Sequence, residues 1–189
     1  MEKKLVPVGL SNRHVHLGKE DIDVLFGEGY ELTVMKDLTQ PGQYAANEKI
    51  ERVGPKGSLG ARILGPERKK TQIEISKSDG FILGIDAPVR NSGDLNGTPG
   101  VKIVGPKGSV ELNEGIIVAS RHIHMHTSDA EKFNIEDNSY VDVKVSGERE
   151  LIFSNVLVRV NKNYALDMHI DLDEGNAAGL ENGELVQIL

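Results

Sequence analysis

His14-Val15-His16 and His122-Ile123-His124 are the two places in this chain where residue type and spacing together suggest chemistry. In an extended strand residues i and i+2 face the same side, so each pair can present two imidazoles to one cation. With Zn–N bonds of about 2.0–2.1 Å, one or two further ligands close a site. The chain offers few. His169 lies in Asp167-Met168-His169-Ile170-Asp171, and Glu74 lies in Gln72–Ser76, where polar and apolar residues alternate. Ile73 and Ile75 share one face of that strand and Glu74 takes the other, which on strand statistics alone makes Glu74 an exposed carboxylate. His126 extends the second pair, but Gly18 stands at the matching place in the first, so a duplicated site does not require it.

What is missing narrows the chemistry further. Among 189 residues there is no cysteine, which removes disulfides, a thiolate nucleophile and Cys-type zinc sites. No His-Glu-x-x-His helix, Gly-x-Ser-x-Gly elbow, Walker loop or dinucleotide fingerprint occurs. A basic run, Arg62, Arg68, Lys69 and Lys70, precedes Glu74 in a protein of net charge −7. It reads either as a solvated loop or as a landing place for phosphate, where Arg offers a planar fork and Lys a point charge. Arg90 is a weaker candidate of the same kind.

The elements that must position these residues are short and mostly extended. Twenty-one Gly and seven Pro punctuate Val- and Ile-rich segments. Val141–Val145, Gln72–Ser76 and Glu184–Ile188 alternate as strands with one buried face. Three stretches look helical: the Ile22, Leu25, Phe26 stripe, a capping box at Ser128-x-x-Glu131, and Asp171-x-x-Glu174 leading into Ala177 and Ala178. VGPKGS occurs twice, at Val53–Ser58 and Val104–Ser109, as a Gly-Pro-Lys-Gly turn between strands. Ser11-Asn12-Arg13-His14-Val15-His16 also echoes Ser120-Arg121-His122-Ile123-His124, and each copy precedes a short acidic helix. These features predict a mainly β protein: two small β-barrel lobes capped by short helices and related by internal duplication, with residues 1–90 forming the first and 91–189 the second. The boundary is approximate, and the lobes can exchange strands.

Hydrophobic residues at 38% and charged residues at 27% describe an ordinary globular chain. The acidic balance argues against non-specific nucleic-acid binding, and no run approaches the ~18 apolar residues of a spanning helix. Met1–Val6 lacks the apolar stretch of a signal peptide, so a cytoplasmic protein with no membrane association is expected.

PVGLSNRHVHL, DLTQPGQYAANEK, GPERKKTQIEIS, ASRHIHMH and DMHIDLDEGNAAG, in this order, resemble the phosphate propanoyltransferases, from about Pro7 to the C-terminus. The resemblance implies a phosphotransacylase that interconverts a short-chain acyl-CoA, propanoyl-CoA or acetyl-CoA, plus phosphate with acyl phosphate plus CoA. It also implies two small β-barrels, a di-zinc site between them with cobalt as an alternative metal, and coenzyme A near a homodimer interface. By motif, His14, His16 and Glu74 would hold one metal and His122, His124 and His169 the other. Arg68 would bind phosphate. Ser11, Lys36, Arg62, Leu64 and Asn176 would contact CoA, with Phe81 stacking from a neighbouring subunit. An acyl kinase would be the metabolic partner, as in propanediol degradation.

Some relatives carry an amphipathic N-terminal extension that targets a microcompartment; Met1–Val6 is too short for one, and a free enzyme is expected. With metals granted, the expected mechanism is direct, metal-assisted attack of phosphate on the thioester. Two rival readings stand beside it. A cupin-like enzyme with a single metal leaves the second H-x-H pair unexplained, and a zinc-buffering module that is not an enzyme leaves the basic run unexplained.

Overall fold

The computed structural model describes residues 3–189. Along the chain these form β1 (Lys4–Ser11), β2 (His14–His16), α1 (Lys19–Phe26), β3 (Val34–Asp37), β4 (Tyr44–Val53), β5 (Ser58–Gly65), β6 (Gln72–Glu74), α2 (Lys77–Leu83), β7 (Val89–Arg90), β8 (Lys102–Val104) and β9 (Ser109–Glu111). There follow β10 (Ile116–Ala119), β11 (His122–Met125), α3 (Thr127–Phe133), β12 (Tyr140–Val145), β13 (Leu151–Val160), β14 (Asp167–Asp171), α4 (Leu172–Ala178) and β15 (Leu185–Ile188). The protein is mainly β, as its alternating segments predict.

Two bodies divide the chain. One takes 1–11, 39–41 and 120–189; the other takes 12–38 and 42–119. The expected cut between residues 90 and 91 therefore falls inside the second body. Strand exchange is the reason: β1, at the start of the chain, pairs in parallel with β14 and antiparallel with β15, so it completes the sheet built by the C-terminal half.

The first body is a closed barrel in the order β1-β14-β11-β13-β12-β15. Closure leaves no free sheet edge. Its core is made by alternate residues, among them Val6 and Val8 of β1, Ile123 and Met125 of β11, and Met168 and Ile170 of β14. The second body is a half-barrel, ordered β7-β10-β6-β2-β5-β4-β8-β9 with β3 paired onto β4. Val15, Ile63, Ile73, Ile75, Ile103 and Ile116 fill its core with Leu25 of α1 and Leu83 of α2. Completely burying one such side chain stabilises by about 1.5–3 kcal/mol, and that preference fixes strand register.

The helices differ from expectation in two places. α2 escapes a search for apolar stripes because it is only seven residues long, KSDGFIL; Ser76 and Asp79 start it with a capping box. α3 starts one residue before Ser128. Its N-cap is His126, whose side chain accepts from the Ser128 N–H, so the expected Ser128/Glu131 box is not the cap. The Asp171/Glu174 box does open α4, as read.

The two VGPKGS copies are hairpin turns, β4–β5 and β8–β9, and both lie in the half-barrel. They therefore do not mark the two-body duplication. They share a sequence because they share a task. Lys56 N donates to Leu83 O at the end of α2 (3.1 Å), and Lys107 N donates to Leu25 O at the end of α1 (3.0 Å). A Cβ on Gly54 would lie 2.3 Å from Leu83 O, and one on Gly105 would lie 2.6 Å from Leu25 O. Only glycine lets the turn backbone approach a helix end this closely.

Candidate metal centres

On β2, β6 and the residue after it the core takes Val15, Ile73 and Ile75, so His14, His16, Gln72 and Glu74 share the opposite face. Antiparallel register sets His14 against Glu74 and His16 against Gln72. His14 Nδ1 meets Asn12 O at 2.8 Å, which directs Nε2 toward Glu74 Oε2, 3.4 Å away. His16 Nδ1 meets Leu64 O at 3.2 Å, while its Nε2 lies 3.0 Å from Arg68 Nη2. A guanidinium only donates, so Nε2 accepts and Nδ1 carries the proton. Burial, then the neighbouring His14 and Arg68, push His16 down to about 3, so it is neutral at physiological pH, with its Nε2 lone pair turned toward Arg68. Glu74 is not the exposed carboxylate that strand statistics favour; its side chain is 12% exposed.

The barrel repeats this layout. Ile123 and Met125 of β11 and Met168 and Ile170 of β14 face the core, leaving His122, His124, Asp167 and His169 together on the other face. His122 pairs across with His169, and His124 with Asp167. His122 Nδ1 meets Ser120 O at 2.8 Å, and its Nε2 faces His124 Nε2 at 3.1 Å. Tyr164 lies edge-on to His124, with ring centroids 4.5 Å apart. Burial, then His122, His169 and Arg159, push His124 down to about 2.

Both clusters fit a metal. In each, the three candidate ligand atoms lie within 4.8 Å of one another. One proton at most can join the facing Nε2 atoms of His122 and His124, and His124 Nδ1 is buried with no hydrogen-bond partner. A cation among the three imidazoles relieves that congestion of lone pairs. His₃ and His₂Glu are also the donor sets of catalytic zinc sites, in which three protein ligands leave a position open.

The correspondence extends beyond the ligands. In both bodies the H-x-H strand pairs in parallel with one neighbour, β5 or β13, and antiparallel with the strand bearing the third candidate ligand. That strand leads into a helix with a capping box. The arginine before each H-x-H reaches the carboxylate at the third position of that helix: Arg13 to Asp79 at 2.6 Å, and Arg121 to Glu174 at 2.6 Å. The Arg-His-x-His echo, read with the spacing from third ligand to cap, carries this signal in the sequence.

Of the basic run, only Arg68 joins a cluster directly, with a second contact from Nη1 to Ser92 Oγ at 3.3 Å. Arg62, cross-strand from His14, donates to Ala46 O at 2.7 Å. Lys70 pairs with Glu114 and Arg90 with Asp94 at the surface. Leu64 supplies the carbonyl that orients His16. Lys36 is exposed on β3, which β4 and β5 separate from β2, and Phe81 on α2 is 80% exposed. Ser11 ends β1, and Asn176 is an exposed residue of α4; both belong to the barrel.

Each body thus carries a three-residue donor set of the open kind, and the one in the half-barrel is flanked by Arg68, which suits an anionic substrate. A family profile described as phosphate propanoyltransferase matches residues 7–181. Similar proteins include the phosphate propanoyltransferases of Thermotoga maritima, 57% identical over 184 residues (96% of this chain, 88% of that protein), and of Listeria monocytogenes, 55% over 185 (97% and 87%). The one from Clostridioides difficile is 51% identical over 189 residues (100% and 90%). The chain belongs to the phosphate propanoyltransferase family and is an acyltransferase. The cupin-like and zinc-buffering readings drop out with that membership. Among the described residues, no helix is long and apolar enough to cross a membrane.

Proposed function

We propose that this chain moves a short acyl group, propanoyl or acetyl, between coenzyme A and inorganic phosphate, with Arg68 holding the phosphate. The observation that carries this reading is the Arg68 guanidinium, 3.0 Å from a nitrogen of the His14/His16/Glu74 cluster and 3.3 Å from the Ser92 hydroxyl. A planar fork in that position suits the paired oxygens of a phosphate. Metal ions held by His14, His16 and Glu74 and by His122, His124 and His169 would supply Lewis acidity toward the thioester and affinity for its thiolate.

The chain's own residues supply the remainder. Arg68 offsets phosphate charge and fixes the direction of one oxygen, which makes the attack effectively intramolecular. Phosphate is already an anion at neutral pH and needs no base. Its oxygen bonds to the acyl carbon, the C–S bond breaks, and the electron pair leaves on sulfur as CoA thiolate. No cysteine is present to form an acyl-thioester, which supports direct transfer. Ser11, Lys36, Arg62, Leu64 and Asn176 are the proposed CoA contacts. Exposed Phe81 and Ile82 on α2 supply apolar surface for a second copy, in keeping with a homodimer in which Phe81 meets the neighbour's CoA. An acyl kinase consuming the acyl phosphate, in propanediol degradation, and a cytoplasmic location complete the reading.

The test is CoA release from propanoyl-, acetyl- and butanoyl-CoA with and without phosphate. Release should require phosphate, and Arg68→Ala should raise the KM for phosphate at least about tenfold, the loss of one charge-assisted contact of about 1.5–3 kcal/mol. Equal release without phosphate would indicate a thioesterase.

A further inference from the structure

Gln72 and Asp167 occupy the same place in the two bodies. Gln72 lies two residues before Glu74 and directly across from His16; Asp167 lies two residues before His169 and directly across from His124. Both are almost fully buried, at 1% and 2% exposure. A buried polar side chain is costly unless hydrogen-bonded, and each of these bonds to the third residue of its cluster. Gln72 Nε2 donates to Glu74 Oε1 at 2.6 Å, and Asp167 Oδ2 faces His169 Nε2 at 3.1 Å. The two pairs are chemically complementary: an amide that can donate meets a carboxylate, and a carboxylate that accepts meets an imidazole.

Each is also anchored by a loop. Gly93 N donates to Gln72 Oε1 at 2.8 Å, and Gln72 Nε2 also reaches Ser92 Oγ at 2.8 Å. Thr39 Oγ1 donates to Asp167 Oδ2 at 2.5 Å, in a segment that Gln40 fastens through paired hydrogen bonds to Ala165. We propose that Gln72 and Asp167 are matched positioning residues, each orienting the third ligand of one metal centre. Asp167 in addition sets which ring nitrogen of His169 carries the proton, and a ligating imidazole must present the other. This rests on the proposed metal centres and extends them to two residues of the quoted strings to which the motifs assign no role. Because Ser92 touches Gln72, Glu74 and Arg68, the half-barrel member links ligand orientation to the proposed phosphate site.

Cobalt titration of the purified full-length chain, followed by ligand-field absorption and by bound metal per chain, tests the proposal. His14→Ala and His122→Ala reference chains, each retaining one intact centre, assign the two signals. Asp167→Asn should weaken Co²⁺ binding at the barrel centre by about 10–100-fold and leave the half-barrel centre at its wild-type affinity, and Gln72→Met should do the reverse. Thr39→Val, which removes only the hydroxyl behind Asp167, should weaken the barrel centre by a smaller factor; it replaces Asp167→Asn as the test if that variant does not fold. Wild-type affinity at both centres in the variants, or equal weakening of both in any one, overturns the proposal. A wild-type chain that takes up no cobalt overturns the metal reading itself, a result distinct from either.

Discussion

His126 is two residues beyond His124, yet it has a structural task. Its Nδ1 accepts from Ser128 N (3.1 Å) and meets Ser128 Oγ (2.7 Å), capping α3. The first N–H groups of a helix lack intrahelical partners, and a side-chain cap contributes about 1 kcal/mol. His126→Ala should therefore lower unfolding stability by about that amount, read from the denaturant midpoint, with metal content and phosphate-dependent CoA release at wild-type values. Loss of a metal equivalent would instead place His126 in a centre. His124 contrasts with it: it is buried beside His122 and His169 and pushed down to about 2, so its neighbours, not its residue type, set it apart from the cap.

The two Gly-Pro-Lys-Gly hairpins show how elements are locked together without side-chain packing. Gly54 has a helix carbonyl where its Cβ would be, whereas a Cβ on Gly60, in the adjoining strand β5, would meet nothing within 4 Å. Gly54→Ala must displace either the turn or the end of α2 and should cost about 1–3 kcal/mol, as overpacking does. Gly60→Ala should be neutral or stabilise by about 0.5–1 kcal/mol, because alanine loses less backbone entropy in a strand. Thermal denaturation of the pair reads the difference in sign. Equal effects would mean that the hairpin does not bear on the helix end. Both turns are legible in the sequence; their docking on α1 and α2 is not, because it depends on two contacts far apart along the chain.

At the scale of the molecule, each body carries its own cluster of three candidate ligands, so metal binding should be linked to the stability of both. A ligand that binds only the folded state stabilises by RT ln(1 + [L]/Kd), about 2.7 kcal/mol at a hundredfold excess over Kd. Chelation should lower the thermal midpoint and abolish phosphate-dependent CoA release, and added Zn²⁺ or Co²⁺ should restore both. Activity that survives complete metal removal would contradict the assignment of either cluster.

The sequence by itself determined whatever depends on near neighbours. Period-two alternation put Ile123 and Met125 on one face of a strand and His122 and His124 on the other, and the H-x-H pairs, turn strings and Asp171/Glu174 cap followed from short-range rules. Family motifs added the third candidate ligands, Glu74 and His169. Only the tertiary structure decided that β1 completes the barrel, that Glu74 lies partly buried against His14, and that Gln72 and Asp167 stand behind the third candidate ligands. These are matters of which strand lies beside which and in what register. Register is settled by burying one face of every strand at once, a condition on the whole sheet that no local window contains.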